Sequence, residues 1–204
     1  MEHETLFTAT KWDILEALST GRKSPFQLSQ SCNTSLANVS QQLRLLELGG
    51  VVEAERVPNR DKGQPRVLYS LKGDNAFIIA TMPGFVKKMA VPLSDVQKGR
   101  LKIWLMVDSA KQYFVETVFA DISEHFENID AVYYDPTSYS NVHFMVVPKK
   151  DLVKTKLRDS VVSHKGVKFS IKYSFKSKDY EPSSSMIKLY GNKQTKQTGE
   201  RGGK

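Results

Sequence analysis

The sequence predicts an α+β chain in two parts: three helices closed by a β-hairpin, then a long helix leading into a small mixed unit. Three observations carry this reading. Residues 35–52, SLANVSQQLRLLELGGVV, repeat apolar side chains at helical spacing and then meet a Gly-Gly stop. Residues 51–57 and 66–71, VVEAERV and RVLYSL, flank a turn-rich loop as a pair of strands would. An apolar stripe from Ile103 to Phe126 recurs every three or four residues, and short strand-like stretches follow it.

Taken in order, residues 5–18 read as a first helix with Leu6, Phe7, Ile14, Leu15 and Leu18 on its apolar face, Trp12 at an edge and Gly21 past its end. Ser24-Pro25-Phe26-Gln27 is a strong helix start. Ser24 can cap, Pro25 suits the first helical position and Gln27 closes a capping box. That short helix reaches Cys32, and Asn33-Thr34 is the turn into the next. In helix 35–48, Leu36, Val39, Leu43, Leu46 and Leu48 are expected to form the buried stripe. Strand 51–57, the basic loop 58–65 and strand 66–71 complete a hairpin. Residues 75–81 are expected to form a closing helix, with Met82-Pro83-Gly84 breaking it. Ser94-Asp95-Val96-Gln97 is a second capping box, opening a helix expected to run to residue 128, weakened at Gly99. Strands are expected at 130–135, 142–147 and 167–175, and a helix at 152–164 that ends at Gly166. From residue 181 onward Ser, Gly, Gln and Lys dominate, which predicts a flexible basic tail. The domains so read are 1–80, a connector at 81–98, 99–180 and a tail at 181–204.

Composition bounds the function classes. The chain has 204 residues, 40% of them hydrophobic, and a net charge of +8. Residues 1–80 are neutral, so the positive excess sits in the connector, the late C-terminal part and the tail, which favours a polyanionic partner. Without an apolar run of membrane length or a signal-like start, the chain reads as a cytoplasmic protein with no membrane partner. The lone cysteine, Cys32, allows no internal disulfide and fits a small core residue. His3, His125, His143 and His164 are scattered and form no ligand motif. No metal or other cofactor is expected.

Helix, short helix, turn, polar-faced helix is the order of a helix-turn-helix, and a hairpin directly after it is a wing. Residues 24–71 resemble the winged helix-turn-helix of ArsR-type and related bacterial and archaeal regulators. Val39-Ser40-Gln41-Gln42-Leu43-Arg44-Leu45-Leu46, then Gly49 and Val51-Val52, is similar to that family's Val-Ser-x-His-Leu-Lys-x-Leu followed by a glycine and apolar residues. Gln42 stands where the family often has His. The resemblance covers about the first 75 residues and implies a DNA-binding transcription regulator. The family's metal sensors carry a Cys-x-Cys pair that this chain lacks, so metal sensing by that site is not expected.

On this reading helix 35–48 enters the major groove. Its first turn lacks Asp and Glu, which would oppose phosphates. Ser35, Asn38, Gln41 and Gln42 are expected to face base edges, because amides pair bidentately with adenine. Arg44 and the 58–66 wing residues Arg60, Lys62 and Arg66 are expected on phosphates, with Thr34 or Ser35 donating near the helix start. The expected partners are double-stranded DNA and a second copy of the chain, plus an unknown effector or protein at the C-terminal domain.

Strand-loop-strand around 131–147 resembles small nucleotidyltransferase-like domains, which hold two metals through paired carboxylates. Here Ser138-Tyr139-Ser140 lacks the companion glycine, and Asn141-Val142-His143 stands where acids are needed. The resemblance therefore implies a non-catalytic relative. Asp121 and His125 lie four apart on a helical face, without further ligands. Ser138, Ser140 and His143 lack a nucleophile elbow. Two rival readings stand beside DNA regulation: a winged-helix module for protein–protein or RNA contact, and a nucleotidyltransferase-like enzyme.

Overall fold

The computed structural model describes residues 9–58 and 66–191. It is a mixed α+β chain that divides between Pro92 and Leu93 into two compact units.

The first unit contains α1 (Ala9–Ser19), α2 (Pro25–Ser31), α3 (Leu36–Leu48), β1 (Val52–Val57), β2 (Arg66–Leu71), β3 (Asn75–Met82) and β4 (Phe85–Pro92). Ile14 and Leu18 of α1, Leu28 of α2, Val39, Leu43 and Leu46 of α3, and Val52 of β1 make its buried core. The capping box is formed: Ser24 Oγ accepts from Gln27 N at 3.2 Å and Gln27 Oε1 accepts from Ser24 N at 2.9 Å. Asn33 carries the turn at φ 45°, a left-handed conformation that asparagine tolerates.

At the other end of α3, Val51 N donates to Leu46 O and Gly50 N to Glu47 O, both at 2.9 Å. This is a Schellman closure, and Gly50, at φ 69°, supplies its left-handed residue. The hairpin β1–β2 pairs Val52 with Leu71 through to Val57 with Arg66. It is tied to the helices because Lys23, just before α2, exchanges backbone hydrogen bonds with Tyr69 at 3.1 and 2.8 Å.

Several expectations are corrected here. Leu36 and Leu48, both expected in the buried stripe, are exposed. Leu48, 78% exposed, lies on the side of the helix opposite Val39, Leu43 and Leu46. Leu36 sits on the stripe's own side but at the first residue of α3, where half of it remains open. Residues 75–81 are strand rather than helix, and the expected connector supplies its partner, with Asn75 opposite Pro92 and Met82 opposite Phe85. Phe77, Ile78, Ile79 and Thr81 favour a pleated strand. Pro83-Gly84, with Gly84 at φ 78°, turns the chain in two residues.

The second unit is a five-stranded sheet with helices α4 (Asp95–Met106) and α5 (Ser109–Ser123) packed into its main core. Its strands are β5 (Ile129–Asp135), β6 (Asn141–Pro148), β7 (Ser160–His164), β8 (Val167–Phe175) and β9 (Ile187–Tyr190), in the order β7-β8-β6-β5-β9. β6 and β8 are parallel and the other neighbours antiparallel. The short helix α6 (Leu152–Lys156) lies between β6 and β7.

The single helix expected over 94–128 is two helices. Val107 is extended (ψ 137°), and Asp108 restarts the chain as an N-cap, accepting from Ala110 N at 2.8 Å. The helix expected over 152–164 stops at Lys156. Ser160–His164 forms a strand turned back by Lys165-Gly166, whose φ values of 47° and 80° suit a tight hairpin. Within the expected tail, Ile187–Tyr190 pairs with β5 and buries Ile187 and Leu189. On the sheet's second face Tyr180 and Met186 cover Ala131, Tyr133, Met145 and Val147.

Candidate nucleic-acid interface

α3 buries one stripe and presents the opposite side. With Val39, Leu43 and Leu46 inward, a rotation of about 100° per residue sets Ala37, Gln41, Arg44 and Leu48 outward. All four are exposed. Gln41 and Arg44, both expected at the interface, therefore stand side by side on the outer face. Ala37, one turn before Gln41, was not singled out from the sequence, although its spacing from Gln41 places it on that face.

The remaining polar residues of α3 are arranged differently. Asn38 Nδ2 donates to Thr34 Oγ1 at 3.0 Å, and Gln42 Nε2 donates to Asn38 Oδ1 at 3.2 Å. Thr34, Asn38 and Gln42 thus form a hydrogen-bonded row along one flank, each of them half-buried. The Gln42 Oε1 atom is buried with no hydrogen-bond partner among the described residues. Ser35 is engaged as the N-cap, its Oγ accepting from Asn38 N at 3.2 Å. The Ser40 hydroxyl donates to Leu36 O at 2.8 Å. Of the four residues expected at base edges, the outward and uncommitted amide is Gln41.

Arg66 is exposed at the start of β2, opposite Val57. By strand alternation it shares a face with Glu53 and Glu55. Arg22 pairs with Glu55, and the Ser70 hydroxyl reaches Glu53 at 3.4 Å, so both carboxylates on that face have partners. Arg56, exposed on β1, is a further cation that sequence reasoning passed over. Arg60 and Lys62 lie outside the described residues. Cys32 packs beside the first unit's core, where burial and then the nearby Asp13 carboxylate push its thiol pKa up. A raised pKa leaves less of the reactive thiolate.

In the second unit His143 bridges two polar partners on adjacent strands. Its Nε2 lies 2.9 Å from Ser174 Oγ on β8, and its Nδ1 lies 3.5 Å from Asp135 Oδ2 on β5. Burial pushes the Asp135 carboxyl up. Hydrogen bonds from the Thr137 hydroxyl and backbone N–H outweigh that, with help from His143, and leave its pKa below the ordinary carboxylate value. The histidine is therefore joined to Ser174 rather than to Ser138 or Ser140, and the row stitches three strands together. Asp121 and His125 gather no further ligands: among the described residues no group of three His, Cys, Asp or Glu side chains is placed to hold a metal ion. Among those residues, too, no helix is long and apolar enough to cross a membrane.

No family model matches the chain, and no curated protein matches it.

Proposed function

We propose that the first unit is a winged helix-turn-helix of the ArsR-like kind, and that the chain is a cytoplasmic, homodimeric, sequence-specific DNA-binding regulator. The observation that carries this reading is the outer face of α3, where Gln41 and Arg44 project side by side from a helix fixed at both ends. The Ser35 cap sets its start, the Gly50 closure sets its end, and the buried stripe fixes its rotation. The Lys23–Tyr69 ladder supports the reading further, since it holds the hairpin against the helices as a wing requires.

In this account Gln41 pairs with a base edge in the major groove, the Ala37 methyl contacts a thymine methyl and Arg44 reaches either a guanine or a phosphate. Arg66 at the start of β2, with Arg60 and Lys62 from the sequence between β1 and β2, contacts the backbone. Thr34, Asn38 and Gln42 act as a positioning row beside the reading face. The neutral charge of residues 1–80 means that affinity comes from few contacts per protomer and from having two protomers. The second unit serves in effector or partner binding rather than in catalysis.

Binding of the Gln41→Ala variant to a panel of duplexes tests the assignment. A flattened sequence preference with near-normal salt dependence is expected. Arg66→Ala should instead weaken all sequences alike and reduce the salt slope by about one. Unchanged preference in Gln41→Ala would remove α3 from the groove.

A specific observation favours a second reading. Leu45 and Leu48, three residues apart on neighbouring positions of α3, are both exposed, a small apolar surface suited to a protein groove. If Leu45→Lys abolished a protein complex and left DNA binding intact, the first unit would be a protein-docking module.

A further inference from the structure

The hairpin β3–β4 is a sheet of its own. Among the described residues no backbone hydrogen bond reaches it from outside. It is apolar on both faces: Phe77 and Ile79 are 52% and 59% exposed on one, and Met82 is 56% exposed on the other. An isolated two-stranded hairpin is marginal in water, and an open apolar strand edge is a template for another strand.

The two edges differ in charge. β4 carries Lys87 and Lys88, the kind of residue that guards an edge, whereas β3 has no charged residue along its whole length. The backbone also favours the β3 edge. The two-residue turn closes on the pair Met82 and Phe85, which exchanges both of its hydrogen bonds. Alternate pairs along the ladder do the same, so Asn75, Phe77, Ile79 and Thr81 turn their N–H and C=O groups outward.

We infer that β3 pairs antiparallel with β3 of a second copy, about a two-fold axis at Ile78, to make a four-stranded sheet in the order β4-β3-β3-β4. This deepens the two-copy reading above, on which it rests, by assigning the surface. With the axis at Ile78, Phe77 lies opposite Ile79 of the other copy and Asn75 opposite Thr81, so every outward backbone group of β3 is used. The seam gains aromatic–aliphatic pairs on one face and an Ile78–Ile78 contact on the other. All the lysines stay on the outer strands. A seam between two β4 strands would instead bring like charges together.

Sedimentation of the full chain without DNA tests this. The wild type should be a dimer. Ile79→Pro should be a monomer, because proline at an outward-facing edge position removes a seam donor while sparing the bonds to β4. A folding control is built in: far-ultraviolet circular dichroism of Ile79→Pro should match the wild type. Ile78→Cys in a Cys32→Ala background should form a covalent dimer on mild oxidation, and Lys87→Cys in the same background should not. A dimer unaffected by Ile79→Pro, or cross-linking through Lys87→Cys in preference to Ile78→Cys, would overturn the β3 seam and leave the two-copy reading standing. A monomeric wild type would overturn both.

Discussion

Gly99→Ala tests how tightly α4 is set on α5. Gly99 is buried in α4, and a Cβ built there would lie 2.1 Å from Phe119 Cζ and 2.6 and 2.9 Å from the two Cε atoms. Favourable carbon–carbon contacts lie near 3.5–4.0 Å. Phe119 is fully buried and packs edge-on against Phe126, with ring centroids 5.7 Å apart, so its ring has no solvent to swing into. Two terms compete. Alanine exceeds glycine in helix propensity by about 1 kcal/mol. Overpacking a filled core costs about 1–3 kcal/mol, and the depth of this overlap places the cost near the upper limit. The net is a destabilisation of about 2 kcal/mol, or a fall in melting temperature of roughly 5–10 °C. Thermal and urea unfolding followed by circular dichroism would measure it. Phe119→Leu in the Gly99→Ala background should recover part of the loss, since touching residues couple. A melting temperature equal to or above wild type would refute the close approach of α4 and α5.

Three further outcomes are expected. Ser24→Ala removes the capping box of α2 and should cost about 1 kcal/mol in urea unfolding, while Ser24→Asn or Ser24→Asp should keep most of it. Gly50→Ala places a side chain at φ 69° and should cost about 1–2 kcal/mol; no loss would remove the Schellman closure from the account. Asp135 has a lowered pKa in the folded protein, so its contribution to stability is present above the ordinary carboxylate pKa and lost as pH falls through the lower folded value. Asp135→Asn should therefore lower stability near neutral pH and make the acid side of the stability profile shallower. An unchanged acid profile would discount the Thr137 and His143 contacts.

Local signals were legible in the sequence and non-local ones were not. Ser24-Pro25-Phe26-Gln27 and Leu48-Gly49-Gly50 state their caps within four residues, and both caps are found where the sequence put them. The strands of β1–β2 likewise follow from short alternating stretches around turn residues. NAFIIATM failed because a short apolar run has no period to separate helix from strand, and its pairing with residues 85–92 lies outside its own window. The apolar stripe keeps helical phase across Val107-Asp108, which hid the break between α4 and α5. β9 is four residues in a polar stretch, and its partner β5 lies more than fifty positions earlier.

For the candidate site, periodicity placed Gln41 and Arg44 on the surface but treated Asn38 and Gln42 as equivalent to Gln41. The four-residue spacing of Thr34, Asn38 and Gln42 was the available clue that they hydrogen-bond to one another along the helix. Arg60 and Lys62 remain expectations from the sequence, since they lie outside the described residues.

A protein that reads DNA through α3 in two copies should select a two-fold symmetric sequence. Selection of bound fragments from random duplex DNA, at two salt concentrations, tests it most directly. The expected result is an enriched palindrome whose half-sites are spaced by about one helical turn or a multiple of it, with enrichment lost in Gln41→Ala. Salt-sensitive binding with no enriched sequence, or no binding at either salt concentration, would contradict it.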